Sequence, residues 1–439
     1  MAGSVRTHTI WAGRAPLQQS APDKPRKGLL ALLGPGLITG ASDDDPSGIA
    51  TYSQAGAQFG TSMCWVMLFC YPLMAAIQEI SARIGRVTGH GIAGNLRAYY
   101  PRWLLYSIVA LLLAANIINL GADLGAMADA VHLLVGGPVH LYVVAFAVGC
   151  TVLEVFCRYD RYVRIMKWSC LTLLAYVATV LVVGVDWRAV AYDTFVPNFS
   201  WQTDYITTVV GVLGTTITPY CFFWQSSEEA EEMRIDPAAE RLVDHPEQAK
   251  AAIGRIQIDT YFGMGLSNLI GLFIIITTAA TLHVHGITDI QTSAQAAEAL
   301  RPIAGAFAFY VFAAGIIGIG LLSVPVLAGS CAYVLGEALE WKTGLGRLPA
   351  DAKPFYGVIA VATLIGIGIN FVGIDPIKAL FWSAVLNGVV AVPLMGAIML
   401  RGTQRRVMGK FTLPWPLVGL GWVCTGAMGV AVVIMFATW

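Results

Sequence analysis

Apolar positions along this chain gather into long runs separated by short charged or Pro/Gly-rich breaks. Eleven runs stand out, at about 29–57, 61–87, 103–131, 139–157, 162–185, 204–227, 252–281, 303–335, 355–373, 376–400 and 413–437. Each is near or above the roughly 20 mostly apolar residues that a helix needs to cross a bilayer. None alternates apolar and polar residues over about ten positions as a membrane barrel strand would. The pattern predicts an all-α membrane protein of eleven transmembrane helices in a single domain over 28–437, preceded by a disordered cytoplasmic tail at 1–27.

Composition agrees: 56% of the 439 residues are hydrophobic and 12% charged, against roughly 25% charged in soluble domains. The 27 basic and 27 acidic residues cancel, so nothing marks a nucleic-acid partner. Eight cysteines, all in apolar runs and without a Cys-x-x-Cys pair, read as small buried hydrophobes. Basic residues also orient the chain. With the N-terminus in the cytoplasm, 24 Lys and Arg fall inside and only Arg188, Arg301 and Lys378 outside. That asymmetry is what the positive-inside rule demands, and it puts the C-terminus outside a multi-pass plasma-membrane protein.

Two runs break their own pattern. The first carries Asp43, Asp44 and Asp45 ahead of Pro46, Ser47 and Gly48; the sixth carries Thr215, Thr216 and Thr218 ahead of Pro219. Proline removes a backbone donor and clashes with the preceding turn, so helices 1 and 6 should be broken at mid-membrane. Irregular backbone at that depth must be buried in protein or line a wet cavity. Paired breaks in two halves point to a transporter's substrate site. They suit two inverted five-helix repeats, 28–185 and 204–400, followed by an extra helix at 413–437.

An ionised carboxylate near the bilayer centre is costly, which gives Asp45 a functional role by default. Asp43 and Asp44 divide between lining the pathway, capping the following half-helix and reaching solvent. The threonines admit two readings, as pathway residues or as local glue, with Thr218 bonding back to the Gly214 carbonyl. Glu79 and Asp259 read as packed network residues, and Glu154 as able to reach the interface. The stretch SSEEAEEMRIDPAAERLVDHPEQAK reads as a solvated amphipathic helix, with an acidic vestibule at the cytoplasmic mouth as the alternative.

Over about 28–437 the chain resembles the NRAMP family of divalent-metal transporters, which have the LeuT-type fold. The markers are GPGLITG before the first break, QAGA after it, QEISARIGRVTGHG ending run two, GADLG in run three and GIDPIKAL opening run ten. The resemblance implies a transporter, not an enzyme, with no resident cofactor and a divalent ion as substrate. It also implies where the metal sits. Where the family reads Asp-Pro-Gly-Asn, this chain reads Asp45-Pro46-Ser47-Gly48; where it reads Ala-x-x-Met-Pro-His, this chain has Thr215, Thr218, Pro219 and Tyr220. The glutamine of helix 10 aligns with Ala384, with Asn387 three residues on.

Trading a thioether for a hydroxyl moves the site from soft toward hard ions. Loss of Asn at Gly48 should enlarge the cavity, as suits Mg2+, which keeps much of its water. The metal site implied is Asp45, Gly48, Thr215 and Thr218, with Asp44, Asp43, Tyr220, Asn387, Gln225 and Asp123 along the pathway. Proton machinery is depleted: Asp123 survives in GADLG, but Ala126 replaces its acidic partner and run nine has no arginine. The expectation is uncoupled uptake of Mg2+, and also Mn2+, as a partly hydrated ion by alternating access in a monomer. The rivals are a proton-coupled Mn2+/Fe2+ importer and an organic-solute transporter on the same fold.

Overall fold

A computed structural model describes residues 39–40, 42–156, 173–236 and 238–439. The tail at 1–27, the start of the first run and the basic residues Arg158, Arg161, Arg164 and Lys167 lie outside the described residues. The described chain is helical, with no strand. Its main helices are α1 (Pro46–Phe59), α2 (Cys64–Thr88), the short α3 (Ile92–Tyr99), α4 (Arg102–Val135), α5 (Val139–Phe156), α6 (Leu174–Val182), α7 (Trp187–Phe195), α8 (Thr203–Thr216), α9 (Pro219–Ile235), α10 (Ala249–Thr281), α11 (Ala308–Ala338), α12 (Lys353–Ile369), α13 (Pro376–Gly402) and α14 (Trp415–Thr438). Among the described residues, eight helical stretches are long and apolar enough to cross a membrane, and α12 is a shorter apolar helix.

Local chemistry explains where the two central helices start. Asp45, in extended conformation, caps α1 by accepting from the Gly48 N–H, and Pro46 takes the first helical position, where its missing donor costs nothing. Thr218 and Pro219 repeat the arrangement at α9, without a side-chain cap. Just before it, α8 ends at Thr216, and Ile217 leaves helical geometry at φ −113°, ψ 63°.

Small residues bring the helices together. A Cβ at Gly214 of α8 would collide with the Ala384 carbonyl and the Gly388 backbone of α13. That contact is backbone on backbone, the close approach that glycine permits between membrane helices. On the outside of the bundle α5 and α14 leave apolar side chains exposed, among them Val148, Phe156, Val433 and Phe436. Faces of this extent suit lipid rather than water. The six described cysteines are free and buried.

One expectation needs correction here. The acidic stretch after Gln225 is not a solvated helix: Glu229 and Glu231 are buried. Arg255 of α10 lies 2.7 Å from Glu229 and 2.8 Å from Glu232, and Glu231 accepts from Tyr333 and from the Gly346 N–H. Cationic and backbone donors draw the carboxylates inward. Glu154 lies near the described end of α5 and is partly buried. Its Oε1 is buried without a partner, near Gly329 of α11. Glu79 does sit in a packed network, accepting from Arg83, Gln257 and Tyr261.

Candidate metal-binding site

The residues before α1 and those between α8 and α9 come together inside the described bundle. Asp43, Asp44, Asp45, Thr215, Thr218 and Tyr220 are all buried there. Each carboxylate has a different set of donors. Asp45 Oδ1 accepts from the Ser47 hydroxyl at 2.5 Å and the Gly48 N–H at 2.9 Å. Its Oδ2 accepts from Asn119 Nδ2 at 2.8 Å and lies 3.3 Å from the Tyr220 hydroxyl. Tyr220 has one proton, and its shorter contact is the Ser42 carbonyl at 2.7 Å. Asp43 Oδ1 accepts from Thr218 at 2.5 Å, with the Cys221 thiol 3.8 Å away, and its Oδ2 faces Ser267 at 3.2 Å. Asp44 accepts from the same Ser267 at 3.0 Å.

Thr218 does not make the local back-bond to Gly214. Its hydroxyl reaches Asp43 of the other break, and within its own segment the Thr215 carbonyl at 3.3 Å, not Gly214. The Thr215 hydroxyl is 3.3 Å from Ser47. The expected enlargement at Gly48 is absent. A Cβ there would lie 3.3 Å from Thr215 Oγ1 and 3.4 Å from the Tyr52 ring, so neighbours already fill the space. A cavity of about 600 Å³ approaches from the Thr203 end of α8, and its lining reaches as deep as Ala50 and Thr208.

The remaining candidates from the sequence lie on α4, α9 and α13. Asp123 of α4 accepts from Ser323 of α11 at 2.8 Å on Oδ2, while Oδ1 is buried without a partner. Gln225 is held by Gln78 at 2.5 Å and Thr260 at 3.0 Å, so it belongs to a network between α2, α9 and α10. Asn387 is fully buried, and neither amide atom is hydrogen-bonded.

Asn119, Ser383 and Ser267 escaped the sequence reading. Asn119 links the site to α13, donating to Asp45 and accepting from Ser383 at 2.7 Å. A signal existed: Asn116, Asn119 and Asp123 recur at three- and four-residue spacing on an otherwise apolar helix, which puts them on one face.

The donor set is thus carboxylate, hydroxyl, amide and peptide carbonyl, with one thiol at its edge. Among the described residues no three His, Cys, Asp or Glu side chains converge as a ready-made metal cage. A serine or threonine hydroxyl can donate to a carboxylate or turn a lone pair toward a cation. The site can therefore exchange internal hydrogen bonds for ion contacts without importing new residues.

Comparison with known proteins places these features in a wider set. The family model described as natural resistance-associated macrophage protein-like, Nramp, matches residues 36–438. The divalent metal cation transporter MntH of Acidiphilium cryptum is 26% identical over 421 residues, covering 92% of this chain and 88% of that protein. That of Chromohalobacter salexigens is 26% identical over 443 residues, covering 99% and 98%. Among solved structures, the Eremococcus coleocola manganese transporter in complex with an aromatic bis-isothiourea substituted compound superposes with TM-score 0.73 at 17% identity, covering 93% of this chain and 87% of that one. Mhp1, a nucleobase-cation-symport-1 family transporter in a closed conformation, gives TM-score 0.50 at 14% identity, covering 92% of each chain. At these identities the structural matches speak for the fold alone.

Proposed function

The chain belongs to the Nramp family, and on that premise we propose that it carries divalent metal ions across the cell membrane by alternating access. Mg2+ is the preferred substrate and Mn2+ is also accepted. The relatives' names, divalent metal cation transporter, support the substrate class. The preference rests on one observation. At the position where the family pattern has methionine, Thr218 sends a hydroxyl to Asp43 at 2.5 Å, so the donor offered there is oxygen instead of sulfur. Hard donors favour hard ions, and Mg2+ binds through few carboxylates while retaining water.

In this reading eleven spans form two inverted repeats plus an extra helix, with the N-terminus in the cytoplasm. The segments at Asp44–Asp45 and Ile217–Thr218 are corresponding breaks at mid-membrane. Asp45 holds the ion, with the Thr218 hydroxyl, the Thr215 carbonyl and the Gly48 region completing contacts directly or through water. Asp43 joins them, because Thr218 ties it to the same centre. The α1 and α8–α9 segments rock against a scaffold that includes α4, α5, α11 and α12. No proton is required energetically: a divalent cation moving inward gains about 4.6 kcal/mol per 100 mV, twice the single-charge value.

One observation favours a second reading, proton-coupled manganese import. Asp123 Oδ1 is buried without a partner, a place where a proton can reside. Uptake of Mg2+ and Mn2+ into proteoliposomes, with internal pH read in the same vesicles, separates the two. Mg2+ entry without acidification is expected. Mn2+ entry with acidification and no Mg2+ entry would establish the second reading, and movement of neither ion would turn attention to organic solutes.

A further inference from the structure

A cavity of about 530 Å³, separate from the metal site, opens between α3, the end of α9 and the segment following α11. In the proposed orientation it faces the cytoplasm. Four cationic side chains from these three elements line it: Arg97 on α3, Arg234 in the last turn of α9, and Lys342 and Arg347 beyond α11. Among the described residues Arg234, Lys342 and Arg347 pair with no carboxylate. Arg234 and Arg347 instead reach the Thr343 carbonyl, at 3.3 Å and 3.0 Å. Three guanidinium forks and an ammonium around one hollow form a donor set suited to phosphate oxygens.

Two carboxylates also line the cavity, and they behave differently. Glu337 accepts from the Gly94 N–H at 3.0 Å and Ser227 at 2.9 Å and also feels the charge of Arg234. Glu340 is 72% exposed on its side chain and pairs with Arg97 at 2.9 Å. Its φ is +58°, the only positive value at a non-glycine among the described residues. This left-handed turn, closed by the Trp341 N–H on the Gly336 carbonyl at 2.8 Å, is one that glycine would adopt more easily. A glutamate kept in a strained position, with its charge laid on an arginine, marks a functional candidate. Burial, and then Arg234 and Arg241, hold the neighbouring His90 imidazole below its ordinary range, consistent with a positive local field.

We propose that this cavity binds a multiply charged phosphate group, and that Glu340 acts as its stand-in when the ligand is absent. The group belongs either to a soluble polyphosphate or nucleotide or to an anionic lipid headgroup. An occupant joining Arg234 to Lys342 and Arg347 fastens the end of α9 to the segment after α11.

The test uses the full-length protein in neutral detergent, metal-free with chelator, titrated with sodium tripolyphosphate at physiological salt and followed by thermal stability. A parallel arm compares stability in phosphatidylcholine vesicles with and without phosphatidylglycerol. Saturable stabilisation by tripolyphosphate is expected. It should weaken by at least about tenfold in Lys342→Gln/Arg347→Gln, because two of the four cations are lost. Glu340→Gln should bind several-fold tighter. Both variants change exposed residues, and monodispersity on size exclusion confirms their folding. Stabilisation by phosphatidylglycerol alone, lost in the double variant, would identify the lipid source. No response in either arm, or responses that the double variant leaves intact, would overturn the site. Unchanged affinity in Glu340→Gln would overturn the stand-in role.

Discussion

Replacing Asp45 by asparagine removes one charge while keeping the side chain's shape, which makes it the sharpest probe of the central site. Three donors on Asp45, with the Tyr220 hydroxyl 3.3 Å away, set the structural consequence. Asparagine presents one acceptor and one NH2, so in either orientation the NH2 faces an existing donor, Asn119 Nδ2 on one side or the Gly48 N–H on the other. Leaving one such group unsatisfied costs about 1–3 kcal/mol. The Ser47 hydroxyl can reverse and the Tyr220 oxygen can accept, which holds the cost toward the lower end, and a folded, monodisperse protein with a slightly lower melting temperature is expected. The functional loss is larger. Removing one partner of a buried ion pair costs about 3–5 kcal/mol, or more than about a hundredfold in ion affinity. The assay is radiotracer or fluorescent-indicator uptake of Mn2+ and Mg2+ into proteoliposomes with matched amounts of protein. Monodisperse Asp45→Asn with uptake within about threefold of the parent would refute Asp45 as the ion's anchor, since that corresponds to less than about 1 kcal/mol.

Three further outcomes follow from the same geometry. Thr218→Met restores a soft ligand and removes the hydroxyl from Asp43, so competition assays should show Cd2+ gaining on Mg2+ by about tenfold or more; an unchanged order of preference would count against Thr218 as a selectivity residue. Gly214→Leu drives a side chain into the α13 backbone at Ala384 and Gly388, an overpacking cost of about 3 kcal/mol or more that should appear as loss of stable protein in detergent. Asp123→Asn should leave Mg2+ uptake within about threefold of the parent, a change of less than about 1 kcal/mol, and create no acidification; abolished metal uptake would make Asp123 part of the obligatory route.

Much of this arrangement was legible in the sequence, and the physical reason is specific. Hydropathy reports length and apolarity directly, so the apolar runs coincide with helices wherever the chain is described, and Pro46 and Pro219 each sit at a helix start. Partner choice was not legible. Thr218 could bond to its own turn or across the bundle, and only packing decides that Asp43, 175 residues away, is its acceptor. The same holds for Asn119, whose partners Asp45 and Ser383 lie 74 and 264 residues distant. The space expected at Gly48 failed for a related reason. A missing side chain opens a cavity only if neighbours stay put, and here Thr215 and Tyr52 have closed in. The acidic stretch misled because composition does not reveal that Arg255, on another helix, faces Glu229 and Glu232.

The hydrogen bonds on Asp45 also bear on the half of the cycle that moves nothing. A carrier that works without protons must return unloaded, and bare carboxylates in a bilayer core would trap it on one side. Here Ser47, the Gly48 N–H and Asn119 donate to Asp45, with the Tyr220 hydroxyl 3.3 Å away. These dipoles point positive ends at the carboxylate, so the protein itself supplies part of the electrostatic compensation that Asp45 needs in a bilayer core. If transport runs uncoupled as proposed, net flux should be limited less by the return leg than in a carrier whose carboxylate lacks such donors. Metal placed on the far side should accelerate entry only modestly, because exchange offers no escape that the vacant form lacks.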